Sequence, residues 1–238
     1  MLRILQNIAD FIFPPLCAIC GNDLDGEKVV CKECFGKVHF VSNSQCRICG
    51  KPIKSGTICK SCRENLPSFN FVIGCGSYVP PLSNIIKLYK YNRRLSLSER
   101  LARLLYSSYQ TRGDVKGIKL VTWVPMRRAK IRERGYNQSR ILAREFTFIA
   151  GLKSVKLLRK VKNIQSQTKL SSCERLVNVR GAFRVDYEIL NALDSDLKKE
   201  VILIDDVLTT GATLNECSKV LKKAGFSRVI GLVSAISP

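Results

Sequence analysis

The chain has 238 residues, and its 40 Lys and Arg against 19 Asp and Glu give a formal charge of +21. That length suits one medium domain plus a small one, and no apolar run approaches the roughly 18 residues of a membrane span. The charge excess favours polyanionic partners, nucleic acid first and anionic membrane surfaces second.

Residues 1–16 read as a short amphipathic helix, apolar at Leu2, Leu5, Ile8 and Ile12 and stopped by Pro14 and Pro15. Asn7 and Asp10 interrupt the apolar character and no small-residue cleavage site follows, so no signal peptide is recognised. The expected location is therefore cytoplasmic, where clustered cysteines serve as metal ligands and not as disulfides.

Eight of the 11 cysteines lie between Cys17 and Cys62 in four C-x-x-C pairs. Cys17, Cys20, Cys31 and Cys34 form one quartet; Cys46, Cys49, Cys59 and Cys62 form a second, similarly spaced. Each can build a tetrahedral zinc site of four thiolates, leaving no open coordination position, so two structural Zn²⁺ ions are expected. Sequential pairing gives a double zinc ribbon over residues 17–66; a cross-braced pairing of the first and third knuckles is the alternative. Metal binding would supply roughly ten kcal/mol of folding free energy per site. His39, the single histidine, lies between knuckles and is not needed as a ligand.

A linker at 66–71 precedes a second domain, 67–238, whose pattern alternates strands with helices. The predicted elements are a strand at Val72–Val79, helices at Leu82–Tyr91 and Leu97–Tyr109, and a buried strand at Ile118–Pro125. Next comes a basic loop bearing Arg127, Arg128, Lys130, Arg132 and Arg134, turned at Gly135 and Asn137, then a helix from Gln138 to Ala150. A strand at Val155–Leu158 follows. Residues 159–181 are polar and basic, which suggests a mobile loop over a site; a plain surface loop is the alternative. A short strand at Ala182–Val185 leads to the stretch that carries most chemistry.

That stretch is VILIDDVLTTGATL, Val201–Leu214. Its apolar start reads as a buried parallel strand. Asp205 and Asp206 follow, then Thr209, Thr210, Gly211, Ala212 and Thr213 at the start of a helix ending near Gly225. Helix N-termini at the carboxyl edge of an open α/β sheet bind phosphate. Adjacent carboxylates there fit a ribose diol or Mg²⁺. The residues alone thus suggest a ribose 5-phosphate site.

The same stretch resembles the phosphoribosyl pyrophosphate (PRPP) motif of type I phosphoribosyltransferases. With the paired C-x-x-C modules and the segments IIKLYKYNRRLSLSERLARLL, VPMRRAKIRERGYNQSRILA and SQTKLSSCERLVNVRGAF, the chain resembles the ComF family of late competence proteins. The resemblance implies an α/β type I phosphoribosyltransferase-like parallel sheet flanked by helices behind a small zinc-ribbon domain. It implies Asp205 and Asp206 on the ribose hydroxyls and Mg²⁺, with Thr209 to Thr213 around the 5-phosphate. Arg132, Arg134, Gly135, Asn137 and Gln138 would line the pyrophosphate side, and Gln167, Arg175 and Asn178 would belong to the mobile loop. The implied role is a PRPP-binding protein in DNA uptake, acting on incoming single-stranded DNA with a competence helicase or DNA-processing partner. The chain departs from the family at Arg127 and Arg128, where members often carry His-Pro. This removes a candidate for proton transfer and adds charge. Two other readings stand beside it: an active phosphoribosyltransferase, and a zinc-ribbon adaptor on a degenerate scaffold.

Overall fold

A computed structural model of the chain describes residues 15–24, 26–40, 44–91, 94–161 and 179–238. The helix expected over 1–16 lies, apart from its last two residues, outside the described residues, as do Gln167, Arg175 and Asn178 of the expected mobile loop.

The cysteine-rich part contains two one-turn helices, α1 (Lys32–Gly36) and α2 (Lys60–Glu64). Strand β1 (Phe71–Ser77) follows, then the amphipathic helices α3 (Leu82–Tyr91) and α4 (Leu97–Gln110). Strand β2 (Leu120–Trp123) leads into α5 (Arg128–Arg134) and α6 (Gln138–Ala150). Short strands β3 (Lys153–Ser154), β4 (Leu158–Lys160) and β5 (Phe183–Val185) precede a one-turn helix α7 (Tyr187–Asn191). Strand β6 (Glu200–Leu208), helix α8 (Ala212–Lys223) and strand β7 (Arg228–Ile236) complete the described chain.

The main sheet has the order β1-β7-β6-β2-β3, and every neighbouring pair is parallel. Strands β4 and β5 pair antiparallel in a separate two-stranded sheet. Both faces of the main sheet are covered, as a parallel sheet requires. Ile202, Ile204, Ile230 and Leu232 face the core shared with α3, α4 and α6. Val201, Leu203, Val229 and Val233 face the core shared with α8 and the β4–β5 pair.

The two cysteine modules straddle the edge strand β1. Leu24, Val29, Val30 and Val38 join the core on one face, while Cys46, Cys49 and Cys62 join the core on the other. Ser77 N–H donates to the His39 carbonyl at 3.0 Å, and Val72 N–H donates to the Ile48 carbonyl at 2.8 Å. An open sheet edge is a template for unwanted strand pairing, and here the ribbon covers it. Gly76 permits the approach: a Cβ there would lie 2.7 Å from the His39 carbonyl oxygen. The expected linker is also fastened, since Asn215 Oδ1 accepts from Ser68 N–H at 2.6 Å and Asn70 pairs with Val229.

Three local expectations change. The basic stretch after β2 is helix α5, not a loop, because Arg, Lys, Ala and Glu are strong helix formers. Gly135 ends it in the left-handed conformation at φ 91°. No single strand occupies 155–158: β3 ends on the main sheet at Ser154, residues 155–157 belong to neither strand, and β4 begins at Leu158 and turns away to pair with β5. Strand β6 runs on through the acidic pair, because Asp205, Val207 and Leu208 keep their register against Val233, Ala235 and Ile236 of β7.

Candidate ribose-phosphate site and zinc centres

The cysteines form two groups in sequence order, Cys17/Cys20/Cys31/Cys34 and Cys46/Cys49/Cys59/Cys62, and within each group the sulfurs lie within 4.8 Å of one another. The Cys20–Cys31 and Cys49–Cys59 sulfurs are 3.7 Å apart. A tetrahedron with zinc–sulfur bonds of about 2.3 Å has edges of about 3.8 Å, so the donor sets fit Zn²⁺. Pairing is therefore sequential. Burial raises the pKa of the Cys17 thiol, but backbone N–H groups of Cys20 and Cys31 outweigh it and bring the value down to about 6. Cys46, at the same place in the second quartet, comes down to about 7 for the same reasons. Cys34 and Cys62 of the same quartets go the other way, raised by burial and by the neighbouring cysteines, so metal binding would have to displace their protons.

The second centre follows from topology. Strands β2 and β6 are neighbours, but α6 carries the chain from β2 to β3 on one side, whereas α8 carries it from β6 to β7 on the other. The crevice between their carboxyl ends is the topological switch point at which open α/β sheets bind ligands. A cavity of about 520 Å³ lies there, lined by the ends of β2 and β6, the Thr209–Thr213 turn, and residues of α3, α5 and α6.

Side-chain alternation along β6 sends Asp205 and Asp206 to opposite sides of the strand. Lys90 of α3 lies 2.9 Å from Asp206 Oδ1, and both side chains are largely buried. Asp206 Oδ2 is buried without a hydrogen-bond partner. Asp205 Oδ1 accepts from the Ser139 hydroxyl at 2.9 Å and from Asp206 N–H at 2.9 Å. Burial, and then the neighbouring Asp206 charge, push the Asp205 carboxyl up to about 7. Burial disfavours the charged form of Lys90, yet the Asp206 carboxylate overcomes this and lifts its pKa above the ordinary lysine value.

The turn after β6 is shaped for an anion. Gly211 takes φ +79° at the start of α8, a conformation that glycine adopts without strain. Thr210 Oγ1 accepts from Ala212 N–H at 3.3 Å. A phosphate placed there would meet the positive end of the α8 dipole. Lys90, Lys130, Arg134 and Lys160 supply cationic wall around the cavity.

Of the sequence-predicted residues, Asp205, Asp206, Thr209, Thr210, Gly211, Ala212, Thr213, Arg134, Asn137 and Gln138 are brought together on this cavity; Arg132 and Gly135 do not line it. Asn137 also builds the frame, because its Oδ1 caps α6 by accepting from Ser139 N–H and Arg140 N–H. Its Nδ2 donates to the Val124 carbonyl at 3.1 Å, tying α6 to the end of β2. Gln138 Oε1 accepts from Arg134 at 2.8 Å, and that guanidinium covers the Tyr91 ring at 4.9 Å.

Lys90, Ser139 and Lys160 escaped the sequence reading. Lys90 lies within the helix expected at Leu82–Tyr91, where nothing local in the sequence marks it as a site residue. Tyr89 donates to the Gln138 carbonyl at 2.8 Å, and Tyr136 donates to the Tyr89 carbonyl. These bonds lock α3 against the start of α6 and hold Lys90 at the acids.

A parallel sheet with an acidic pair and a threonine-glycine turn at its switch point, behind two four-cysteine centres, defines a type I phosphoribosyltransferase-like protein with a double zinc ribbon. The family model of the double zinc ribbon domain matches residues 8–63. Competence protein F of Haemophilus influenzae is 30% identical over 217 residues, covering 84% of this chain and 93% of that protein. DNA utilization protein YhgH of Salmonella typhimurium is 27% identical over 222 residues, covering 91% and 94%. Competence protein ComFC of Bacillus subtilis is 23% identical over 215 residues, covering 85% and 81%. Among solved structures, glutamine PRPP amidotransferase from B. subtilis aligns with 62% of this chain and 30% of its own at 18% identity and a TM-score of 0.40. The chain belongs to the ComF family.

Proposed function

We propose that this chain is a PRPP-binding protein of DNA uptake, acting in the cytoplasm on incoming single-stranded DNA. The observation that carries the PRPP reading is the buried, unpartnered Asp206 Oδ2 beside Asp205, one turn before a helix N-terminus at the sheet's switch point. An orphaned buried carboxylate oxygen costs free energy unless a donor or cation completes it. A ribose hydroxyl or a divalent cation would do so.

Asp205 and Asp206 would hold the ribose diol and Mg²⁺, which when bound would neutralise charge on the pyrophosphate. Thr209 to Thr213 present hydroxyls and backbone N–H groups to the 5-phosphate. Lys130 and Arg134, which line the same cavity, would meet the pyrophosphate. The DNA role is supported by the relatives, named for competence and DNA utilization, and by the charge of +21.

One observation favours turnover as a second reading. Asp205 lies in the ligand cavity with the Ser139 hydroxyl donating to its Oδ1 at 2.9 Å, and a carboxylate held there would stabilise the positive charge left on the sugar as pyrophosphate departs. Two assays separate the readings. Transformation frequency in a deletion strain complemented with Asp206→Ala tests whether the site serves DNA uptake; full restoration by that variant defeats the proposal. Pyrophosphate release from PRPP by wild type, absent in Asp205→Ala/Asp206→Ala, distinguishes turnover from binding alone.

A further inference from the structure

A second cavity of about 680 Å³ abuts the first, and Pro125, Met126 and Lys160 line both. Five of its lining side chains are cationic (Arg128, Lys156, Arg159, Lys160 and Arg184) and none is acidic. Arg159 of β4 and Arg184 of β5 are directly opposite in the antiparallel register. Like charges in that position destabilise a strand pair, and this one is only two strands wide, where each pair matters. Asp186 offsets part of the charge, with Oδ2 3.2 Å from Arg159 Nε. Arg184 has no such counterion among the ion pairs of the described residues and stands exposed.

Beside this pair, Tyr187 lines the cavity and is more than half exposed as a residue, at 57%. Leu158 and Val185 make an apolar floor. Paired guanidinium groups match phosphate, and an exposed ring next to a cationic track is how proteins hold an unstacked base.

We propose that this second cavity binds a nucleotide unit, with its phosphate on the Arg159–Arg184 pair and its base against Tyr187. Its position beside a bound ribose phosphate rests on the function proposed above; nucleotide binding itself does not. The like-charge pair is retained at a cost to the free protein because the ligand's phosphate neutralises it.

The test uses the zinc-loaded full chain with a fluorescent single-stranded oligo-dT and, separately, dTMP as competitor. Arg184→Gln should weaken oligonucleotide binding about tenfold and lower the magnitude of the salt slope by about 0.7. Its Tm should not fall, since a repulsion is removed; a merely structural arginine would lose stability on substitution. Tyr187→Ala, on another element, should weaken binding roughly 5- to 150-fold and keeps the test open if β5 tolerates no change. Competition by dTMP assigns the cavity to free nucleotides, and binding of the oligonucleotide alone assigns it to a strand; either supports the proposal. Unchanged affinity and salt slope in both variants overturn it. PRPP failing to stabilise the wild type, with Arg184→Gln still weakening the oligonucleotide, would overturn the ribose-phosphate reading and leave this cavity supported.

Discussion

The Lys90 ammonium lies 2.9 Å from Asp206 Oδ1, with both side chains largely withdrawn from solvent. A buried pair is not by itself a gain in stability, but removing one partner leaves an uncompensated charge that costs about 3–5 kcal/mol. Lys90→Met should therefore lower the thermal stability of the free protein by that order. Added Mg²⁺ should recover more stability in the variant than in wild type, because no ammonium then competes for Asp206. In a double-mutant cycle, Lys90→Met with Asp206→Asn should be less harmful than the sum of the two, by about 1–3 kcal/mol.

Asp205 gives a pH dependence. Its folded-state value of about 7 lies above the model-peptide 3.8, because burial and Asp206 disfavour the carboxylate. A raised carboxyl pKa contributes stability that is fully present below about 3.8 and is lost as pH rises through about 7. Asp205→Asn removes that loss, so the variant should gain stability relative to wild type as pH rises from about 5 to about 8, by on the order of 2–3 kcal/mol over that range. Urea denaturation at the two pH values measures this, and a gain independent of pH would count against a raised Asp205.

The zinc modules should be inseparable from the sheet they straddle. Two zinc ions per chain are expected by elemental analysis. Cys46→Ser or chelation should lower the unfolding temperature of the whole chain in one transition, since Cys46 and Cys62 belong to the same core as Val201 and Val229. Gly76→Ala tests the contact without touching a ligand. The added methyl would meet the His39 carbonyl at 2.7 Å and a Leu82 methyl at 2.8 Å, and overpacking of that kind costs about 1–3 kcal/mol. A separate, unchanged sheet transition in either variant would contradict this coupling.

Gly211→Ala isolates the phosphate turn. Only Leu208 lies within contact range, at 3.7 Å, so the cost is conformational, from φ +79°. A loss of about 1 kcal/mol in stability is expected, with a larger loss in PRPP affinity because the turn's N–H groups lose their aim. Equal PRPP affinity in the variant would show that this turn does not hold the phosphate.

How much of this was legible in the chain depended on distance along it. The Asp205–Thr213 turn and the cysteine quartets are contiguous or regularly spaced, so their chemistry shows as a pattern. Lys90 and Ser139 reach the acids from α3 and α6, and their place follows only once Tyr89 and Asn137 have fixed those helices. Helix α5 was masked by its own charge, which reads as a loop until Gly135 is seen as its cap. The clamp on β1 left a trace only in Gly76, because docking of one module on another depends on surface shape and not on local propensity.

The most direct measurement is thermal denaturation of the zinc-loaded chain with PRPP and Mg²⁺, wild type against Asp205→Asn/Asp206→Asn. At a ligand concentration 100 times its dissociation constant, wild type should be stabilised by about 2.7 kcal/mol, and the double variant should show no ligand-dependent rise. No shift in wild type at millimolar PRPP, or an equal shift in both proteins, would contradict a ribose-phosphate site at the carboxyl end of β6.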